Sequence, residues 1–301
     1  MQHSRDTSHR LADGRLLSLA EYGPPGGTPV VLCHGLPGSR RQCPPDIGQL
    51  GSLGLRLIVP ERPGLGYSDP QSGRRLLDWP ADLAQLADHL GLTRFALIGV
   101  SGGAPYALAC AGTPALARRI GALAIVSGMG PPHALGAMSW RTPAVLHLAR
   151  RAPWLLRFPL AGFGQLARAG GGPAPQRLLG LFFKLAGAAL PQADRAILTR
   201  PEIAAQLRAD LAEAFRQGAG GIVQELGLLA RPWGFRLQDI EAPVRLWHGE
   251  IDGIVPIAVG RQVADALPRA RATFVPAAGH FLIYTQWQTI VQQMLDDWRK
   301  T

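Results

Sequence analysis

The chain has almost no lysine: of 31 basic residues, only Lys184 and Lys300 are not arginine. The arginines occur singly and in pairs (Arg40-Arg41, Arg74-Arg75, Arg118-Arg119, Arg150-Arg151), with no run of five or more. A nucleic-acid footprint clusters on one element with aromatics interleaved. The formal net charge of +10 therefore reads as compositional bias, and no nucleic-acid partner is expected. What remains of it is a general field attractive to acidic surfaces or anionic substrates. Cysteine is scarce too. Cys33, Cys43 and Cys110 are odd in number and lack Cys-x-x-Cys spacing, which indicates neither a disulfide framework nor a zinc site. Cys33 and Cys110 lie inside apolar runs and read as small buried hydrophobes. No metal is expected. The polar start, Met1-Gln-His-Ser-Arg-Asp-Thr-Ser-His-Arg10, has no apolar core of a signal peptide. No stretch reaches the ~18 to 20 apolar residues that span a bilayer, and the nearest, around Leu178 to Leu190, is broken by Lys184. These absences together lead us to expect a reduced, cytoplasmic protein without a membrane span.

What is present is a globular composition, 47% apolar over 301 residues, enough for one large α/β domain. Alternating residues flank Asp13-Gly14 within Leu11–Gly23, which suits an antiparallel edge hairpin. Short apolar runs follow at Pro29–Cys33, Leu55–Val59, Phe95–Ile98 and Ala122–Val126, as expected for strands buried on both faces. Helical spacing covers Asp78 to Leu90, with Asp78 as N-cap and Gly91 as stop, and again Ala104 to Ala111. This alternation predicts a doubly wound, mostly parallel sheet. It stops after Gly128. Helices are then predicted at 141–151, 154–168, 176–189, 191–199, 201–216 and 219–230, punctuated by Pro153, Gly170-Gly171-Gly172, Pro191, Pro201 and Pro232. Strands return at Val244–His248 and Ala272–Val275, before a closing helix from Tyr284 to Arg299. The reading is a core of residues 1–128 and 236–301, with 129–235 inserted as a helical lid over the sheet's carboxyl edge.

Directly after the third of these runs the chain reads Gly99-Val-Ser-Gly-Gly103. The glycines at 99 and 103 leave room for a sharp strand-to-helix turn that exposes the Ser101 hydroxyl above the sheet, and the helix start offers free N–H groups. Three fixed positions match often by chance, so the remaining machinery decides. A nucleophilic serine needs a base and a carboxylate to orient it. His280 follows the strand at 272–275 through Pro276-Ala-Ala-Gly279. Asp252 follows the strand at 244–248 within His248-Gly-Glu-Ile-Asp-Gly-Ile-Val-Pro256. Glu250 competes for the acid role, but Asp252 lies deeper in the loop. No carboxylate stands directly after the strand at 122–126. The order Ser101, Asp252, His280 is the serine–acid–histidine order of this architecture. Backbone N–H groups of Gly102 and Leu36 are the expected oxyanion donors. Gly35 gives the Leu36 loop a flexible turn, Pro37 has no N–H to give, and His34 is expected to brace the loop.

Taken together, Asp13-Gly-Arg, His34-Gly-Leu-Pro-Gly, Arg62-Pro-Gly-Leu-Gly-Tyr-Ser68, Gly99-Val-Ser-Gly-Gly103, Asp252-Gly-Ile-Val-Pro256 and Gly279-His280 resemble the α/β-hydrolase superfamily over nearly the whole chain. The resemblance implies the α/β-hydrolase fold and acyl transfer through Ser101, His280 and Asp252, without organic or metal cofactor. Glu61 departs from the aspartate usual before Arg-Pro-Gly and is assigned a loop-bracing role. Serine at 101 argues against the dehalogenase and epoxide-hydrolase branches, which use aspartate there. Gly102 differs from the methionine of perhydrolase-like and C–C hydrolase-like relatives and from the tryptophan typical of proline iminopeptidases.

The expected substrate is a small to medium apolar ester, lactone or thioester. Met129 and Phe281 are the pocket candidates. Most other apolar lid residues (Trp140, Leu146, Trp154, Phe158, Phe163, Phe182, Phe183) are expected to pack lid helices together. Helical spacing lets the lid carboxylates Asp194, Glu202, Asp210, Glu213 and Glu225 all face solvent, which weighs against a peptidase. One alternative is a C–C bond hydrolase of ring-cleavage products, whose anionic substrates require an inward-facing arginine, with Arg62 and the lid arginines as candidates. Another is a small-ligand receptor that keeps the triad.

Overall fold

A computed structural model describes residues 5–43, 48–137, 141–169 and 190–300. Eight strands form one sheet in the order β1-β2-β4-β3-β5-β6-β7-β8. They are β1 (Arg5–Arg10), β2 (Leu16–Tyr22), β3 (Thr28–Cys33), β4 (Leu55–Pro60), β5 (Phe95–Val100), β6 (Ile120–Val126), β7 (Val244–Gly249) and β8 (Ala270–Val275). The β1/β2 and β2/β4 pairs are antiparallel, and every later pair is parallel. The predicted hairpin is thus present at the edge, its first strand lying in the polar Arg5–Arg10 stretch.

Alternation along the central strand divides the core between the two faces. Phe95 and Leu97 of β5 pack with Leu83 and Leu86 of α2 (Trp79–His89), Tyr106 and Leu108 of α3 (Ala104–Ala111) and Val263 of the helix at Ile257–Ala266. Ala96, Ile98 and Val100 face Leu50 of α1 (Gln49–Ser52) and Trp287, Ile290 and Met294 of the closing helix at Ile283–Trp298. Helix α3 is buried all round, and its small residues let it press against β5. Asp78 does not cap α2: its carboxylate instead accepts the Arg75 N–H at 2.7 Å. Gly91 does stop that helix, at φ 66°. Short α4 (Pro114–Ala117) leads into β6.

Between β6 and β7 the described residues include α5 (Arg141–Arg151), α6 (Pro153–Arg168), α7 (Gln192–Leu198), α8 (Pro201–Ala214) and α9 (Gly220–Leu229). The predicted helix at 176–189, the glycine triplet at 170–172, and Trp140, Phe182, Phe183 and Lys184 lie outside the described residues. The last two helices are α10 (Ile257–Ala266) and α11 (Ile283–Trp298). The inserted helices rest on loops at the carboxyl ends of the strands. Leu146 and Leu229 join Met129, Val255 and Leu36, while Phe163, Phe215 and Ile222 join Leu65. Two residues of this segment that were expected to pack between helices do not: Trp154 is 61% and Phe158 80% exposed. They lie four apart on α6, so one helix turn presents both outward.

Among the described residues no helix is long and apolar enough to cross a membrane.

Candidate active site

β5 delivers Ser101 to the middle of the sheet's carboxyl edge. The chain turns at Ser101–Gly103 into α3, and Ser101 takes φ 50°, a left-handed conformation costing a non-glycine residue about 1–3 kcal/mol. Its surroundings over-determine it. A methyl group on Gly99 would lie 2.8 Å from Ala104 Cα, and one on Gly103 would overlap the Cys33 carbonyl of β3. The turn closes because both side chains are absent.

Two later strand ends bring the partners. His280 Nε2 lies 3.0 Å from Ser101 Oγ, and His280 Nδ1 lies 2.8 Å from Asp252 Oδ2. The remaining Asp252 oxygen accepts the Ile254 and Val255 N–H groups at 2.8 Å each. That fixes the His280 tautomer chemically: Nδ1–H donates to the carboxylate, leaving Nε2 to accept the serine proton. Burial opposes charge on both groups, yet their pairing outweighs it. Asp252 is held below the usual carboxylate range, and His280 is raised above the usual histidine value by Asp252 and Asp194. Glu250, the competing acid, is exposed.

The loop after β3 faces the serine turn. A methyl group on Gly102 would lie 2.8 Å from Leu36 Cβ and 3.3 Å from Leu36 N, so glycine at 102 accompanies this close approach. His34 is fully buried, and burial keeps its ring neutral by lowering its pKa well below the usual value. Its Nδ1–H donates to Gly35 O at 2.9 Å, and its Nε2 accepts the Arg62 N–H at 3.4 Å. The Arg62 guanidinium donates to His34 O at 2.5 Å and Gly35 O at 3.0 Å, and to Glu225 of α9 at 2.6 Å. Tyr106 donates to the other Glu225 oxygen at 2.8 Å, and Arg74 pairs with the same carboxylate. Glu61 braces the next loop. Its carboxylate accepts from Arg40 at 2.7 Å and from the Tyr67 N–H at 2.8 Å, and a methyl group on Gly66 would overlap it.

Met129 N–H donates to Ser101 O at 3.1 Å, with its side chain buried beside Leu229 and Val255. Phe281 stands edge-on to His280, ring centroids 5.5 Å apart.

The expectation that the inserted carboxylates face solvent is overturned. Asp194, Asp210, Glu213 and Glu225 are buried, and Glu202 alone of the five is exposed. Asp210 accepts Ser39 N–H at 2.8 Å and Ser39 Oγ–H at 2.6 Å, while Glu213 pairs with Arg40 at 2.6 Å. Spacing shows which residues share a helix face but not that the facing loops offer arginines and free amides. Two neighbours of the site escaped sequence reasoning. Asp194 accepts the backbone N–H groups of His280 and Phe281. His248, buried and kept neutral, donates Nε2–H to Val255 O at 2.7 Å, with that nitrogen 3.5 Å from Asp252. His248 stood four residues from Asp252, a spacing that could have drawn notice.

A parallel sheet with an antiparallel edge, crossed by a serine turn at its central strand, defines an α/β hydrolase. A sequence model of the alpha/beta hydrolase fold matches residues 28–286, and the chain belongs to that family. It is 26% identical over 294 residues to a Pseudomonas putida protein named dihydrolipoyllysine-residue acetyltransferase component of acetoin cleaving system, covering 95% of this chain and 68% of that one. A shorter stretch of 114 residues is 32% identical to the proline iminopeptidase of Xanthomonas citri, covering 36% of each protein. Among solved structures, a bromoperoxidase from Bacillus anthracis superposes with a TM-score of 0.72 at 20% identity, over 98% of this chain and 100% of that one.

Proposed function

We propose that the protein is a serine hydrolase acting on a small to medium apolar ester, lactone or thioester. The observation that carries this reading is the hydrogen-bonded series from Ser101 through His280 to Asp252. Ser101 gives its proton to His280 Nε2 as its oxygen attacks the substrate carbonyl, and Asp252 stabilises the imidazolium. The N–H groups of Leu36 and Gly102 hold the oxyanion. As the carbon–oxygen (or carbon–sulfur) bond breaks, His280 returns the proton to the leaving group. Water repeats the sequence on the acyl-enzyme, regenerating Ser101 and releasing the acid. Met129, Leu36, Leu229 and Phe281 supply apolar walls, and residues 129–235 form the lid.

The rival readings find less support. Arg62 is fully buried and donates to Glu225, His34 O and Gly35 O, which leaves it unsuited to an anionic ring-cleavage product. A peptidase that reads a free amino terminus needs an available carboxylate, and the four buried ones in the insertion are each engaged by N–H, hydroxyl or guanidinium donors. The test is a panel of chromogenic acyl esters and lactones, run on the native protein and Ser101→Ala. A burst, an acyl adduct in the intact mass, and a loss of at least ~10³-fold in Ser101→Ala are expected. Absence of both turnover and adduct across the panel would favour a ligand receptor and end the hydrolase reading.

A further inference from the structure

The turn that carries His280 opens on Gly279. At such a start, serine, threonine, aspartate or asparagine usually accepts the first free amide hydrogens, and glycine has nothing to accept with. The acceptors come from the inserted segment instead. Asp194 of α7 takes the His280 N–H on Oδ2 and the Phe281 N–H on Oδ1, each at 3.0 Å. It is 0% exposed, and a methyl group on Gly279 would overlap its carboxylate. Glycine stands at 279 because the capping position is filled from another element. A buried carboxylate is costly to desolvate unless fully hydrogen-bonded, and here both oxygens are used on the two residues at and after the base.

We infer that Asp194 is a positioning residue for His280. It fixes the backbone of the base against the inserted helices and adds a negative charge that favours the imidazolium formed during proton transfer. The inference rests on the proposed role of His280. The groups facing that ring and its backbone are Asp252 on Nδ1, Ser101 on Nε2, Asp194 on the amide, and the edge-on Phe281 ring. Neutral His248 stands behind Asp252. Of these, Asp194 alone comes from the insertion, so the base takes its working geometry only with α7 docked.

Asp194→Asn keeps the size of the side chain and removes its charge. In the full chain, the His280 imidazole resonances followed by NMR are expected to titrate about half a unit or more lower than in the native protein. The acid limb of the kcat/KM profile for an activated ester should move the same way, with kcat/KM reduced roughly 10-fold or more. An unchanged His280 midpoint and acid limb overturn the inference, even if the variant is less stable, because a plain structural staple moves stability alone. Ser101→Ala in the same assay separates the two readings. If it keeps the native rate, the serine mechanism fails, whereas the NMR midpoint still reports on Asp194. Should Asp194→Asn not fold, amide hydrogen exchange in the native protein decides. Strong protection of His280 and Phe281 is expected, and exchange as fast as at exposed Ala277 overturns the inference.

Discussion

At the scale of single residues, the proposed reaction turns on the protonation of His280. Its Nε2 must be unprotonated to accept from Ser101, and its pKa is raised by Asp252 and Asp194 against the pull of burial. The acid limb of kcat/KM is therefore expected above the ordinary histidine value of about 6.5, measured as a pH–rate profile. Asp252→Asn should move that limb down and lower kcat by about 10³–10⁴-fold, through loss of the tautomer that leaves Nε2 free. The same charges act on stability. The contribution from His280 is complete below about 6.5 and is lost as pH rises through its higher folded value. That from Asp252, whose folded value is depressed, is complete above about 3.9 and is lost as pH falls below this and through the lower folded value. Stabilisation from the pair is expected to be greatest between these limits. Thermal melts of native protein against Asp252→Asn across pH check this.

At the scale of elements, the strand–turn–helix around Ser101 was legible because it is local. The apolar run, the glycines and the small-residue helix are contiguous, and no distant contact is needed to read them. Gly103→Ala should destabilise severely, since its methyl group meets the β3 backbone and not a side chain able to move. Urea unfolding measures the loss. Helix ends were less legible. Asp78 had the right position to cap α2, but its carboxylate turned to Arg75 instead. The helices described at 141–168 and 192–229 follow the predicted extents closely, but their orientation was misread. On α8, Asp210 faces Ser39, and burial pushes its pKa up to about 7. A carboxyl raised in the fold contributes stability that is complete below about 3.9 and is lost as pH rises toward its folded value. Asp210→Asn retains an oxygen for both Ser39 donors. It should therefore gain stability relative to the native protein as pH is raised from about 5 to about 8. Parallel melts at the two pH values give the answer.

At the scale of the whole molecule, the insertion is tied to the core by buried charge. Glu225 joins α9 to Arg62 and Arg74, and Arg62 in turn holds the carbonyls of His34 and Gly35. Removing one member of such a network leaves the others charged and unpaired, so Glu225→Gln is expected to lower stability by about 3–5 kcal/mol in urea unfolding. Nothing in the sequence joined residues 62 and 225, because pairing across that separation is settled by packing and not by periodicity. The order of Ser101, Asp252 and His280 was readable because the fold repeats one strand end after another along a single edge. The attachment of the insertion has a consequence for recombination. Asp194 holds the His280 amide, and Glu225 through Arg62 holds the loop of Leu36, so a transplanted segment has to bring these carboxylates with it. A chimera exchanging residues 129–235 to change specificity would leave Gly279 uncapped and Arg62 and Arg74 without their counter-charge. Grafts that carry Asp194, Glu213 and Glu225 in register are the ones expected to fold and turn over.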